Sequence, residues 1–213
     1  TIFCVSLILV LMLILFNRSI PLKMARTFWS SGVLKLAGVQ SISTVGLDNI
    51  NLEKTYVVAS NHLSYLDIPL LCKVLPFNLY FVAKKQIKSV PFLGWYMMLT
   101  GMFFIDRKNK NKTMESFTSV GKRIKEGKSI LIFPEGTRSK TGSIGELKKG
   151  TFVLASKAGV GILPIKITGT GKIWNVKHGT LKPGKVTVEI LKSLPTSSVQ
   201  SLALNTKIAL TNA

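Results

Sequence analysis

The chain has 213 residues and a formal net charge of +20, from 29 lysines and arginines against 9 aspartates and glutamates. This length allows one sizeable domain with a small appendage, and the basic excess attracts nucleic acid or an anionic membrane surface. Because 46% of the residues are hydrophobic and the mean hydropathy is +0.34, the composition favours a membrane over nucleic acid. Cys4 and Cys72 form neither a disulfide framework nor a zinc-binding pattern, which fits a reducing compartment.

The chain opens on residues 1–16, which are almost entirely apolar but fewer than the about 20 residues needed to cross a bilayer. Positive charges follow this run, whereas a signal peptide carries them before it. By the positive-inside rule, the rest of the chain then stays on the cytoplasmic side. A buried core helix is the alternative interpretation of this run.

The next segment, residues 20–39, mixes apolar and aromatic side chains with Lys23, Arg26 and Lys35. This pattern is typical of a helix that lies in the membrane interface with its basic side towards water. We therefore expect residues 1–39 to form a membrane-docking helical hairpin with Pro21 near its bend. Such a hairpin would place the protein on the cytoplasmic face of the cell (inner) membrane.

From residue 55 onwards the pattern alternates between strands and helices. Apolar runs predict strands at residues 56–59, 79–83, 102–105, 130–133 and 162–167, and an alternating pattern predicts a further strand at residues 186–191. Helices are predicted between and after them, at residues 66–75, 90–99, 113–126, 150–158 and 198–210. This alternation predicts an α/β fold with a mostly parallel sheet flanked by helices, in one domain over residues 40–213.

A histidine and an aspartate follow the first predicted strand. Because Pro69 is tolerated only near a helix start, residues 61–67 are expected to form a turn into the helix, with Ser64 or Asp67 as its N-cap. In such a turn the Asp67 carboxylate can fix the tautomer of His62 and leave its other ring nitrogen as a base. Since the sequence has no Gly-x-Ser-x-Gly elbow, the group to be activated is a substrate hydroxyl. A capping histidine in an ordinary turn is the alternative.

A second polar segment follows the strand at residues 130–133. Pro134 ends that strand, and Gly136 permits a close backbone approach. Arg138 offers a planar fork for a phosphate group, and Glu135 can orient an arginine or a lysine. The alternative is a strand-end turn with a surface salt bridge.

Further cations follow other strands. Arg107 comes directly after the strand at 102–105 and is a second candidate phosphate ligand, whereas Lys84 follows the strand at 79–83. Ligands of open α/β sheets bind beyond the carboxyl ends of the strands. If these strands share one parallel sheet, His62, Arg107 and Arg138 are expected to meet in one cleft. His178 has no partner at ligand spacing, so no metal site is expected.

Four segments resemble, in order and spacing, the motifs of the glycerolipid acyltransferase family. They read Asn61-His62-Leu63-Ser64-Tyr65-Leu66-Asp67, Phe104-Ile105-Asp106-Arg107, Phe133-Pro134-Glu135-Gly136-Thr137-Arg138-Ser139 and Ile162-Leu163-Pro164-Ile165. The resemblance covers about residues 40–195. Within the family, the chain looks most like the bacterial 1-acyl-sn-glycerol-3-phosphate acyltransferases. It departs from their Ala-Lys-Lys-Glu-Leu segment at Gln86 and Ile87, and has Leu147 where phenylalanine is usual. Both changes touch the expected substrate rim, so the preferred donor stays open.

The resemblance implies a reaction. His62, oriented by Asp67, would deprotonate the sn-2 hydroxyl of lysophosphatidic acid, which attacks the thioester of acyl-CoA or acyl carrier protein and gives phosphatidic acid in phospholipid biosynthesis. The resemblance assigns the phosphate and the shape of its site to Arg107, Arg138, Lys84, Glu135, Gly136 and Thr137. It implies no metal and no cofactor other than the acyl-donor substrate, with membrane phospholipids and no nucleic acid as partners. The alternatives are acylation of glycerol-3-phosphate or another lysophospholipid, and a catalytically silent binder of anionic lipid.

Overall fold

The computed structural model describes residues 17, 19–91, 93–105, 110–139, 141–175 and 178–213, and for residues 110–116 it describes the backbone alone. Its strands are β1 (Val39–Val45), β2 (Val57–Ser60), β3 (Tyr80–Lys84), β4 (Phe103–Ile105), β5 (Ile130–Ile132), β6 (Ile162–Thr168), β7 (Trp174–Asn175), β8 (Thr180–Leu181) and β9 (Gly184–Ile190). Seven of them form one sheet in the order β1-β9-β6-β2-β5-β3-β4, and β7 pairs with β8 in a separate small hairpin.

The helices surround this sheet. They are α1 (Ser19–Met24), a π-helical turn (Ala25–Trp29), α2 (Ser30–Leu36), α3 (Asp67–Val74), α4 (Leu93–Leu99), α5 (Lys110–Lys125), α6 (Gly150–Ala158), α7 (Thr170–Ile173) and α8 (Val199–Asn212). Two short 3₁₀ helices, Leu47–Asn49 and Lys85–Ser89, lie in connecting segments.

The sheet is parallel except where β6 meets β9, which run antiparallel. The predicted fold class, an α/β fold with a mostly parallel sheet flanked by helices, is therefore confirmed. Each strand and helix predicted from residue 55 onwards is present, with its ends displaced by at most three residues. Strand β1 was missed, because it is an edge strand whose serine, threonine and glutamine residues obscure the apolar pattern, and its partner β9 is distant in sequence.

The central strand β2 is buried along its whole length. Val58 packs on one face of the sheet with Leu70 and Leu71 of α3. Val57 packs on the other face, in a cluster that includes Phe152 of α6. Burial on both faces explains why the central strands are continuous apolar runs, and it holds the ends of β2 and β5 in place.

The N-terminal helical segment packs against the domain along one side only. Leu22 and Leu34 are buried, whereas Phe28, Trp29 and Leu36 are exposed. Pro21 is the third residue of α1, close to the beginning of that helix. Residues 1–16 lie outside the described residues, and the predicted hairpin therefore stays a prediction. None of the described helices combines the length and the apolar character that a membrane span requires.

Candidate active site

The histidine and aspartate of the first motif face each other at the carboxyl end of β2. The strand ends at Ser60, a turn follows, and Asp67 opens α3. The Nδ1 atom of His62 lies 2.7 Å from Oδ2 of Asp67. The Asp67 side chain is fully buried, whereas the side chain of His62 is 17% exposed. The pair predicted from the spacing is thus formed, and the histidine keeps access to the cleft.

The Asp67 carboxylate is held by further hydrogen bonds. Its Oδ2 accepts the backbone N–H groups of Leu63 at 2.7 Å and Ser64 at 2.9 Å. Its Oδ1 accepts the hydroxyl of buried Thr170 at 2.6 Å. Because an ionised carboxylate only accepts hydrogen bonds, the shared proton belongs on Nδ1, and Nε2 of a neutral His62 ring is left as an acceptor.

The predicted N-cap of this helix is wrong. Leu66 is the N-cap residue, and no side chain caps it. Asp67 is instead the first helical residue, and its carboxylate folds back over the preceding turn. The Ser64 hydroxyl also stabilises that turn by accepting the N–H of Leu66 at 3.3 Å.

The loop that follows β5 fixes the other side of His62. The imidazole stacks on the ring of Phe133, with centroids 3.9 Å apart and planes inclined by 12°. The backbone N–H of His62 donates to Oε1 of Glu135 at 3.0 Å, and the backbone carbonyl of His62 accepts the N–H of Ser139 at 2.7 Å. Because β2 and β5 are parallel neighbours, these two loops leave the sheet at the same edge.

Glu135 is buried, with 7% of its surface exposed. Its second oxygen, Oε2, accepts the N–H of Gly145 at 3.0 Å. The sequence predicted that Glu135 orients an arginine or a lysine, whereas its described contacts are with backbone amides. Glu135 therefore connects the His62 turn to Gly145, which lies beyond the phosphate-binding candidates in the chain.

Arg138 lies on an aromatic surface. Its guanidinium carbon is 3.7 Å from the ring centroid of Tyr65, which is a cation–π arrangement. The Tyr65 ring in turn lies 5.1 Å from the ring of Trp174, at an angle of 51°. Tyr65 belongs to the His62 turn and Trp174 to β7, so three separate segments place this arginine at the cleft.

Gly136 and Thr137 occupy the turn between Glu135 and Arg138. Gly136 has a φ of +73°, and a Cβ atom added there would lie 2.9 Å from Nζ of Lys148. The backbone conformation favours glycine at this position, whereas the flexible end of the Lys148 side chain could shift to admit a Cβ atom. Thr137 is exposed in the same loop.

The remaining predicted cations are less closely tied to this cleft. Lys84 is the exposed last residue of β3, at the same edge of the sheet but separated from β2 by β5. Arg107 lies outside the described residues. The structure thus brings together the first and third motifs and places Lys84 one strand further away.

Several contacts of the site were not anticipated. Phe133 and Tyr65 lie within motifs and could have been considered as neighbours of His62 and Arg138. Thr170 and Trp174 carry no local signal, because they are more than a hundred residues from the turn that they contact. Asn61 also reaches across the sheet, where its side-chain amide pairs with both backbone groups of Ile167, at 2.7 and 2.9 Å.

This arrangement can accept a proton and hold an anion. His62 supplies the base and Arg138 the positive charge, on loops that two adjacent strands fix. Cys72 is a poor nucleophile, because burial raises the pKa of its thiol to about 12 and keeps it protonated. No three histidine, cysteine, aspartate or glutamate side chains come together as metal ligands within the described ranges.

Comparisons with known proteins find relatives that are named as acyltransferases. The 1-acyl-sn-glycerol-3-phosphate acyltransferase of Saccharomyces cerevisiae is 36% identical over 178 residues, which are 82% of this chain and 58% of that protein. The enzyme of that name from Borreliella burgdorferi is 30% identical over 141 residues, or 66% of this chain and 56% of that protein. The chain spans about half the length of the curated relatives that it matches.

A solved structure shares the fold. The 1-acyl-sn-glycerophosphate (LPA) acyltransferase of Thermotoga maritima superposes with a TM-score of 0.80 at 26% identity, over 92% of this chain and 78% of that one. The family described as Acyltransferase matches residues 41–168, which include the His62 turn and the loop after β5. The chain therefore belongs to the Acyltransferase family.

Proposed function

We propose that this chain transfers an acyl group to the sn-2 hydroxyl of lysophosphatidic acid and forms phosphatidic acid. The observation that carries the proposal is the His62–Asp67 pair, 2.7 Å apart, beside Arg138 at one edge of the sheet. The names of the relatives support this acceptor, because they are 1-acyl-sn-glycerol-3-phosphate acyltransferases. The reaction would serve phospholipid biosynthesis.

In the proposed mechanism, Nε2 of His62 takes the proton of the sn-2 hydroxyl. The oxygen attacks the carbonyl carbon of the acyl thioester, and the carbon–sulfur bond then breaks. The leaving thiolate receives the proton from the imidazolium, so no acyl-enzyme is formed and the base is regenerated. Asp67 keeps the proton on Nδ1 and stabilises the transient imidazolium.

The phosphate of the acceptor is assigned to Arg138, with Arg107 and Lys84 as further ligands. A guanidinium can bind phosphate through two parallel hydrogen bonds. Glu135, Gly136 and Thr137 shape the loop that presents Arg138. Because the phosphate is part of the acceptor, binding it also positions the hydroxyl near Nε2.

The substrates place the reaction at a membrane. Lysophosphatidic and phosphatidic acids are lipids, and the net charge of +20 suits an anionic leaflet or an acidic carrier protein. We assign the chain to the cytoplasmic face of the cell membrane, held there by residues 1–39. The donor is acyl-CoA or acyl carrier protein, and no other cofactor is proposed.

The test is acyl transfer by the full chain in detergent, from matched acyl-CoA and acyl carrier protein donors. Lysophosphatidic acid, glycerol-3-phosphate and lysophosphatidylcholine are offered side by side. We expect phosphatidic acid to be the main product. A better rate with glycerol-3-phosphate or the choline lipid would reassign the acceptor, and binding without turnover of any of the three would indicate a silent lipid binder.

Arg138 and Tyr65 give a second expected result. Replacing Arg138 by alanine is expected to raise the KM for lysophosphatidic acid strongly, with a smaller fall in kcat, because the lost contact is with the bound phosphate. Tyr65→Ala should raise the same KM about threefold to tenfold, the order expected of one cation–π contact. Tyr65→Phe keeps the ring and is the matched control.

Steady-state kinetics on these three variants separate the two roles. If Tyr65→Phe raised the KM for lysophosphatidic acid as much as Tyr65→Ala does, the phenol oxygen rather than the aromatic face would be the important group. If Arg138→Ala left KM unchanged, the phosphate would have to lie elsewhere in the cleft.

A further inference from the structure

A short segment beside the site exposes several large apolar side chains together with lysines. It comprises the 3₁₀ helix Lys85–Ser89 and α4. Leu93 is 51% exposed and Trp95 is 53% exposed. Single exposed apolar residues are ordinary, whereas a group of them marks an interaction surface. We call this group the α4 surface, and define it by the exposed side chains Lys85, Lys88, Val90, Leu93, Trp95 and Met98.

The helix is arranged so that these residues do not contribute to the core. Gly94 and Met97 are buried, and Met97 packs with Leu22 and Met102. A Cβ atom on Gly94 would lie 2.4 Å from the carbonyl oxygen of Lys88, so the helix is held against the preceding 3₁₀ helix. The inward face is therefore occupied, and Trp95 is left on the outward face.

The positive charge of this region favours an anionic partner. Residues 68–105 contain no aspartate or glutamate, and neither do residues 1–47, which precede the first acidic residue, Asp48. Tryptophan and leucine next to a lysine-containing stretch are typical of segments that lie in the interface of an anionic bilayer. A protein partner with acidic groups would match the lysines but would not require this exposed apolar area.

The position of the segment relates it to the reaction. The 3₁₀ helix begins directly after Lys84, at the edge of the sheet where the His62 loop leaves β2. The hydroxyl of Tyr96 donates to the carbonyl of Pro21 at 3.1 Å, which joins α4 to α1. The same N-terminal segment exposes Phe28 and Trp29, which follow Pro21 closely in the chain.

We propose that the α4 surface is a second membrane-docking element, which lies in the headgroup region of an anionic leaflet and holds the cleft next to the lipid phase. This proposal adds to the expected docking of residues 1–39 and uses different residues. It rests on the proposed function only for its purpose, since docking of Trp95 can be measured without any turnover.

The experiment measures the depth of Trp95 in a bilayer. The full chain is reconstituted in vesicles of phosphatidylglycerol and phosphatidylcholine, with Trp29→Phe and Trp174→Phe so that Trp95 is the one fluorophore of its kind. Lipids brominated at different depths are the quenchers. The matched control places the tryptophan at Leu204→Trp on α8, which is exposed on another helix, in a chain that also carries Trp95→Phe.

We expect Trp95 to be quenched at least about twofold more than the α8 reporter, and most by shallow bromines, because interfacial side chains sit about 5–10 Å into the headgroup and acyl boundary. In a chain with Lys85→Gln and Lys88→Gln, the equilibrium constant for docking of this segment on the bilayer should fall by about fivefold per lysine. If the tryptophan replacements disturb folding, the signal lost on Trp95→Phe in the otherwise unchanged chain gives the same information.

Equal quenching of Trp95 and the α8 reporter would overturn the proposal. So would a Trp95 emission that shifts with protein density but is not quenched by lipid, since a second copy would then cover the surface. Protection of Trp95 at every density and lipid composition would point to residues 1–16 of the same chain as the cover. Absence of acyl transfer would leave these outcomes unchanged, and would count only against the proposed function.

Discussion

Replacing His62 by alanine is expected to lower kcat by about 10²- to 10⁴-fold, the range in which a positioned general base contributes. The imidazole lies at the end of β2 with Nδ1 engaged by Asp67, so Nε2 is the atom offered to the substrate. Binding of lysophosphatidic acid should change little, because Arg138, the proposed phosphate ligand, lies on the other loop. Rates at saturating substrate, together with equilibrium lipid binding, check both expectations.

The chain provides its own control for this experiment. His178, the other histidine of the sequence, is exposed and close to the β7–β8 hairpin. We expect His178→Ala to keep its turnover. If His62→Ala retained near wild-type turnover, another group would have to be the base, and the proposed mechanism would be wrong.

Asp67→Asn is expected to cause a loss of similar size for a different reason. The amide could not keep His62 in the productive tautomer, and its NH₂ group would face donors rather than acceptors. The backbone N–H groups of Leu63 and Ser64 would lose a charged acceptor in a fully buried place. We therefore also expect a lower free energy of unfolding, by about 1–3 kcal/mol or more.

Thr170 separates these two effects. Thr170→Val removes the hydroxyl that donates to Oδ1 of Asp67 at 2.6 Å but keeps the shape and the charge of the pair. We expect a stability loss of about 1–3 kcal/mol and a smaller fall in kcat. Thr170→Ser should restore kcat. Chemical denaturation and kcat measured on the same preparations test this, and equal kcat in all three proteins would mean that Thr170 acts on stability alone.

Much of the fold could be predicted because the central strands are buried on both faces. Residues 130–133 are apolar without interruption and residues 162–167 are apolar apart from Lys166, and such runs predict core strands directly. Strand β1 could not be predicted in the same way. It is half exposed, and its place depends on pairing with β9, which lies about 145 residues away along the chain.

The same contrast holds within the site. The turn over residues 61–67 was predicted from Pro69 and the polar residues before it, and the meeting of His62 with Asp67 followed from that local geometry. The role of Glu135 was predicted incompletely, because the backbone donors that its carboxylate accepts are set by how two loops approach one another. Its backbone partners belong to residues 62 and 145, and no local pattern specifies that approach.

The sequence by itself determined which chemical groups are present and on which local elements they lie: a base and its carboxylate in one turn, an arginine in another, and a lysine-rich, apolar chain. These features depend on short-range spacing and composition. The tertiary structure decided what surrounds them, including Phe133 against His62, Thr170 beneath Asp67 and Tyr65 beneath Arg138. Those contacts arise from the order β6-β2-β5 of the sheet, which brings distant segments to one edge.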